Sequence, residues 1–430
     1  MIIASLRTLE GELVGRERLE FKDGNVMNYR PCRGETFEGS IEIEAFANDN
    51  LVIPYIAVMV MYQAPKSVSM VHSYGRAYTF SEMEDGNSYT EVEESGLVLR
   101  DTEDIHSYMV FHNGVGTQPS QPCEIQVMNH KGETKSAKFD LPELKPYATI
   151  FIRPSEHIPD LVQFLDGEPG AAATAFKLNG GFTRGLCVCE TSDGEEMQVY
   201  HTNFNYNRHD PGTHDCEKMV FYYPNISNLE NRVVHPDPFM YKGKYFIDSG
   251  ENTYALDSET CNNLEPSDQA MVAKPTGENP MPRRINLTFS GKIKGHSCRL
   301  PLQSARNFYS REFPDKFNLW VTVGLGKKYR SQLVIQSFAA LHGPVKDSVM
   351  EILLYREGTK DVLTKKILPQ ELEAFEQGIY VDELFPEAVN QHENEIGSVW
   401  CKPSSYGTHH VWATIEPSDG QGGSSIEHSF

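Results

Sequence analysis

The chain has 430 residues, 39% hydrophobic and 23% charged, enough for two or three domains with real cores and too apolar for wholesale disorder. Its 39 Lys and Arg stand against 60 Asp and Glu, a formal charge of -21 that repels phosphate backbones and anionic headgroups and so argues against nucleic acid as a partner. The longest apolar run, Leu51–Tyr62, is about half of the roughly 20 residues a bilayer span needs and contains Pro54.

The amino terminus is charged from Arg7 onward and lacks the apolar core of a leader. Eight cysteines are scattered with no CxxC pair, and Cys187 and Cys189 read as small buried thiols on one strand face. Together these features predict a cytoplasmic protein with reduced thiols and no membrane span.

In chain order, strand patterns dominate. Glu35–Phe46 alternates, and so do segments such as SVSMVHSYGRAYTF, CEIQVMN, YATIFIR, EEMQVYHTNF, RINLTFSG, KFNLWVTVGLG, QLVIQSF and VMEILLYRE. Asp-Gly and Asn-Gly pairs at Asp23, Asp85, Asn113, Asn179, Asp193 and Asp419 punctuate them as tight turns. Helical signal is confined to short pieces. Ser155–Leu165 holds a turn or two, and Pro369–Gly378 has Pro at the start, an acidic first turn and Gly at the end. The basic run Arg283–Arg299 reads as a strand pair with cations on its solvent face.

An internal correspondence runs through this pattern. Glu124, Gly132, Leu141 and Glu143-Leu144 are echoed by Glu351, Gly358, Leu368 and Glu371-Leu372. LCVCETSDGEEMQVYHTNF (186–204) is echoed by WATIEPSDGQGGSSIEHSF (412–430), with Ser-Asp-Gly and a His-Thr or His-Ser ending in common. The offset stays at 226 to 228 across about 80 residues, which chance matches would not hold. A weaker echo, Tyr55–Tyr78, ends in His72-Ser73-Tyr74.

The expected fold is therefore all-β, with tandem antiparallel sandwich-like units arising from an internal duplication, and a β-rich insertion. The segmentation is residues 1–105 as an amino-terminal β region, 106–208 as the first repeat, 209–325 as the insertion or connector, and 326–430 as the second repeat.

The residues that could carry chemistry cluster in HTNFNYNRHDPGTHDC (201–216). His201, His209, Asp210 and His214 are borderline or hard donors suited to zinc or manganese, and the Pro-Gly turn folds His209 back toward His214. Asp215 and His235 stand nearby as further donors. The spacing fits no named zinc pattern, and Asp210 and Asp215 also suit a plain polar turn. His201, with counterparts at His428 and His72, reads as architecture.

Elsewhere, Arg184 within FKLNGGFTRGL offers a fork to a carboxylate or phosphate, although a tight hairpin with a surface arginine explains it as well. In GTHHVWATI, His410 shares a strand face with Trp412 and could stack on a ligand, against a bland reading as half-buried strand residues. No nucleophile motif appears.

The functional expectation is a non-enzymatic binding or structural protein recognising a polysaccharide, a glycoconjugate or a protein; a self-assembling, homo-oligomeric surface or particle subunit is a separate reading. The alternative is a metal-dependent hydrolase or lyase on a carbohydrate-like substrate, using His201, His209 and His214 with a divalent cation such as zinc or manganese.

Overall fold

In the computed structural model the residues described are 1–20, 26–32, 36–46, 58–72, 94–176, 185–201, 219–222, 226, 228–236, 245–249, 252–255, 262–263, 270–275, 286–307, 319–337, 349–389, 396–404 and 409–428. Among them the chain is mostly β-strand in antiparallel sheets, with a few one-turn helices, and no helix is long and apolar enough to cross a membrane.

The strands fall into groups. The first holds β1 (Ile2–Arg7), β2 (Leu13–Leu19) and β3 (Ser40–Ala45), ordered β2-β1-β3, and the hairpin β4 (Met59–Ala64) with β5 (Ser67–His72). The second holds β6 (Glu94–Leu99), β7 (Ile105–His112), β8 (Gln121–Met128), β9 (Thr134–Leu141), β10 (Thr149–Ile152), β11 (Gly170–Ala175), β12 (Leu186–Thr191) and β13 (Met197–His201). Its two sheets run β6-β11-β8-β9 and β10-β7-β12-β13.

The third group holds β14 (Met219–Tyr222), β15 (Leu229–Pro236), β16 (Tyr245–Ser249), β17 (Asn252–Ala255), β18 (Asn262–Asn263), β19 (Ala270–Pro275), β20 (Asn286–Ile293) and β21 (Leu302–Asn307). The last holds β22 (Leu319–Gly324), β23 (Tyr329–Arg330), β24 (Gln332–Ser337), β25 (Met350–Arg356), β26 (Val362–Ile367), β27 (Ile379–Tyr380), β28 (Ile396–Pro403), β29 (His409–Pro417) and β30 (Ser425–His428).

The third group's sheets run β14-β19-β16-β17 and β18-β15-β20-β21. Strand for strand, this is the order of the second group. The last group repeats it in β22-β28-β25-β26 and in β27-β24-β29-β30, with the two-residue β23 added beside β29. The described strands between Met219 and Asn307, in the span expected as an insertion or connector, thus share the layout of the groups on either side. The second and last groups also begin one strand earlier than the sequence segmentation places the two repeats. β6 precedes residue 106 and β22 precedes residue 326, yet each pairs with a sheet of the group that follows it.

Two sandwiches close over apolar cores. In the second group Leu97, Leu99, Ile125 and Val127 of one sheet meet Met109, Phe111 and Cys187 of the other. In the last, Val321, Ile352, Leu354 and Val399 meet Leu333, Ile335, Val411 and Ala413. Strict alternation builds these walls: β28 buries every second residue, as a half-buried strand does.

Short helical turns plug the sandwich ends. Pro154–His157 and Leu161–Leu165 bury Leu161 and Leu165. Pro369–Glu371 and Leu372–Glu376 bury Leu372 and Phe375, and Gly378 follows with φ 86°, a left-handed position that favours glycine.

The Ser-Asp-Gly segments form the same turn in both places. Gly194 and Gly420 each have φ 70° and donate N–H to the carbonyls of Thr191 and Pro417. The carboxylate oxygens of Asp193 and Asp419 accept the backbone N–H two residues on, from Glu195 and Gln421.

A candidate metal centre where the strand groups meet

β5, β13, β21 and β30 are the final strands of the four groups, and they pack in a ring in which each touches two others. The hairpin turns before them lock together at one end. Lys66 N–H donates to the Glu195 carbonyl, the N–H groups of Arg299 and Leu300 donate to the buried Glu196 carboxylate at 2.7 and 3.0 Å, Gly422 N–H donates to the Ser297 carbonyl, and Gly423 N–H to the Lys66 carbonyl. His296 adds a bridge, 3.3 Å from Glu416 and 3.2 Å from Ser424 Oγ. Burial pushes the Glu416 carboxyl above its ordinary value, against the lowering effect of Gln332 and His296.

Along the ring, serine hydroxyls replace part of a backbone ladder. The N–H groups of Met197 and Val199 donate to Ser67 Oγ and Ser69 Oγ at 2.7 and 3.0 Å, and Met70 N–H donates to Ser425 Oγ at 3.1 Å. Hence β5 and β30 are buried on both faces. The apolar residues of β5 pack against the second and last groups, Val71 with Tyr108 and Val188, and Val68 and Met70 with Tyr329 and Ile415, while the buried serines of β5 and β30 face other strands instead of water.

At the far end the strands finish in His72, His201 and His428. β21 finishes in Asn307 and brings no histidine. The imidazole centroids lie 4.1 Å apart for His72 and His201, 5.0 Å for His72 and His428, and 5.9 Å for His201 and His428.

Glu427 completes the group. Its Oε1 sits 3.2 Å from His72 Nδ1 and 3.5 Å from His428 Nε2, and accepts the His428 N–H at 2.9 Å. One donor atom from each of the four residues lies within 4.8 Å of the others, and all four residues are buried. Three imidazole nitrogens and a carboxylate oxygen are a donor set for zinc and neighbouring divalent metals.

His201 is thus the one member of the sequence-derived metal set placed here. His209, Asp210, His214 and Asp215 lie outside the described residues, and so does Arg184. His235 lies on β15, but its side chain is not among those described. Trp412 and His410 are described and interior: Trp412 is 0% exposed, with Nε1 donating to Gln336 Oε1 at 3.0 Å. They offer no open face for a ligand to stack on. Instead they wall the histidine cluster, with ring centroids 6.0 and 6.2 Å from His428.

Sequence reasoning missed Glu427 altogether, and passed over His72 and His428 as ligands even though it paired both with His201. The recurring histidine at each strand end was the available signal.

It also passed over an aromatic row on the outer face of the last sandwich. Trp320 and Trp400 sit opposite each other on β22 and β28, with centroids 6.3 Å apart and planes 19° apart, and Tyr355 packs edge-on against Trp400. All three are partly exposed. Alternation with the buried Val321, Leu354 and Val399 was the signal for them.

No protein-family model matches the chain, and no curated protein does.

Proposed function

We propose that this is a non-enzymatic structural and binding protein, in which related β-sandwich units are held about a shared polar joint. The observation that carries the reading is the burial of the His/Glu cluster. A catalytic metal keeps a coordination position open to water and substrate, whereas these four side chains are enclosed by strands of three groups. The shared strand order of the second, third and last groups, and the identical Ser-Asp-Gly turns, support their origin as copies of one unit.

The decisive measurement is turnover of polysaccharide, glycoconjugate and ester substrates with added zinc or manganese. The expected result is none above background. Metal-dependent turnover that His201→Asn abolishes would overturn the proposal.

The Trp320–Trp400–Tyr355 row favours a partner of one chemistry, a neutral glycan. Aromatic faces stack on the C–H surface of sugars, and the charge of -21 disfavours polyanionic chains. Trp400→Ala should abolish retention on the neutral glycan that best binds the unaltered chain in an array. Unchanged retention would remove this surface from the proposal. A protein partner, or a second copy of the chain, is the remaining outcome, read by light scattering of the purified protein.

A further inference from the structure

We infer that His72, His201, His428 and Glu427 together bind one divalent transition-metal ion of the zinc class, and that this ion clasps three strand groups at the joint. The inference concerns what holds the joint and does not depend on the non-enzymatic reading above.

The donors come from β5, β13 and β30, which are far apart in the chain and meet at one end of the ring. Four final strands surround the axis and three of them end in histidine, while the fourth ends in Asn307. Glu427 supplies the remaining donor from the strand that already carries His428. The set is therefore three neutral ligands and one anion. This leaves a bound dication with one net positive charge, a modest charge for an interior site compared with the bare cation.

The spacing suits the ion. Tetrahedral bonds of about 2.0–2.1 Å put neighbouring donors roughly 3.3 Å apart. Glu427 Oε1 already stands 3.2 Å from His72 Nδ1 and 3.5 Å from His428 Nε2. The full set lies within 4.8 Å, so inward shifts of about an ångström or less complete the coordination.

The surroundings behave as an outer shell. The backbone N–H of His428 donates to Glu427 Oε1 and orients the carboxylate, and Trp412 and His410 pack beside the His428 ring. With every donor buried, the ion enters as the strands assemble and leaves when they part. It is a structural cross-link between distant segments, coupled to folding.

The test is refolding of the full chain from denaturant with Zn²⁺ or with a chelator, followed by metal analysis and thermal unfolding. The expected result is one zinc per chain that resists chelation in the native state and is released on unfolding, with a Tm several degrees above that of the chain refolded in chelator. His428→Gln and Glu427→Gln should lose both the zinc and the Tm shift.

Co²⁺ replaces Zn²⁺ in a second arm that needs no variant. The unaltered chain refolded with Co²⁺ should show the intense visible bands of a tetrahedral site. The inference is overturned if the chain refolded in excess Zn²⁺ is native, holds well below one zinc per chain, and melts as it does from chelator. Failure of the non-enzymatic reading looks different: zinc is bound and substrate turns over.

Discussion

The interior of a sandwich and the joint between sandwiches are both buried, but they are built from opposite materials. The core of the last group is Val, Leu, Ile, Met, Phe and Ala, joined by a single buried Cys401, with no ion pair among these residues to satisfy. The joint holds Ser67, Ser69, Gln198, Glu196, Glu416, Glu427 and three histidines, all buried. Apolar contacts are non-directional and tolerate small shifts. A polar interior gains little unless each donor meets an acceptor, and loses much when one partner is removed. The core should therefore fail gradually with volume, and the joint abruptly with the loss of single atoms. Substitutions in the two regions can break or sharpen that contrast.

The largest effect is expected in the core. Phe385 is fully buried, and Phe385→Ala should cost about 3–5 kcal/mol in urea unfolding. All three tryptophans, Trp320, Trp400 and Trp412, lie in this group, so their fluorescence reports its unfolding directly. A loss below about 1 kcal/mol would mean that this sandwich does not depend on its apolar interior.

A buried carboxyl in the connection between β6 and β7 comes next. Burial pushes the Asp101 carboxyl up from 3.8 to about 7. The folded chain keeps that proton where the unfolded chain has released it, so stability falls as pH rises from about 4 to about 7 and stays lowered above. Asp101→Asn should remove a penalty of up to about 4 kcal/mol at pH 8, by the 1.36 kcal/mol that each pKa unit represents. His112 works in the other direction, since burial holds it at about 4, below its usual 6.5. The unfolded chain gains that proton first, so stability is lost as pH drops from about 6.5 to about 4. The two slopes offset each other in the unaltered protein, and Asp101→Asn leaves the acid-side loss standing alone. Identical urea midpoints at pH 5 and pH 8, before and after the substitution, would refute this.

This division also explains what could be read from the sequence. Cores were legible because β25 and β28 alternate inward residues such as Ile352, Leu354, Val399 and Cys401 with outward ones such as Glu351, Ser398 and Lys402, and because Gly194, Gly358 and Gly420 mark real left-handed turns. The joint was not legible, because SVSMVH, MQVYH and SSIEH look like half-exposed strands. Their polar residues are hidden by one another, which no single-strand period reveals. Trp412 misled for the same reason: it points away from its own sandwich, but into the joint and not into solvent. The third group reads as an insertion or connector because segments rich in Pro, Asn and Asp divide its strands and no Ser-Asp-Gly turn marks it. The histidine echo at His72, His201 and His428 was visible, but its meaning needed the strands to converge.

Within the joint, Ser69 offers the cleanest single-atom test. Its hydroxyl oxygen accepts from Val199 N–H at 3.0 Å and donates within reach of Met197 O and Gln198 Oε1, at 3.2 and 3.1 Å. Ser69→Ala changes the volume by little but strands a buried backbone donor, which should cost about 1–3 kcal/mol. The same substitution at a solvent-facing serine should cost nearly nothing. An unaffected Tm would mean that the joint is wet enough to supply the missing partner, and the contrast with the core would collapse.

The smallest effect marks where burial ends. Lys131 lies 3.4 Å from Asp166, and both side chains are more than half exposed, at 54% and 69%. In water their attraction is weak and offset by the entropy of holding two flexible side chains. Lys131→Ala should shift stability by less than about 0.5 kcal/mol, and raised salt should erase even that. The Arg299–Glu196 pair at the joint is the matched control, since Glu196 is 4% exposed and also receives two backbone N–H groups. Glu196→Gln should therefore destabilise the chain several-fold more than Lys131→Ala, with little dependence on salt. If the two substitutions cost the same, burial does not set the strength of these ion pairs, and the abrupt failure expected of the joint would lose its physical basis.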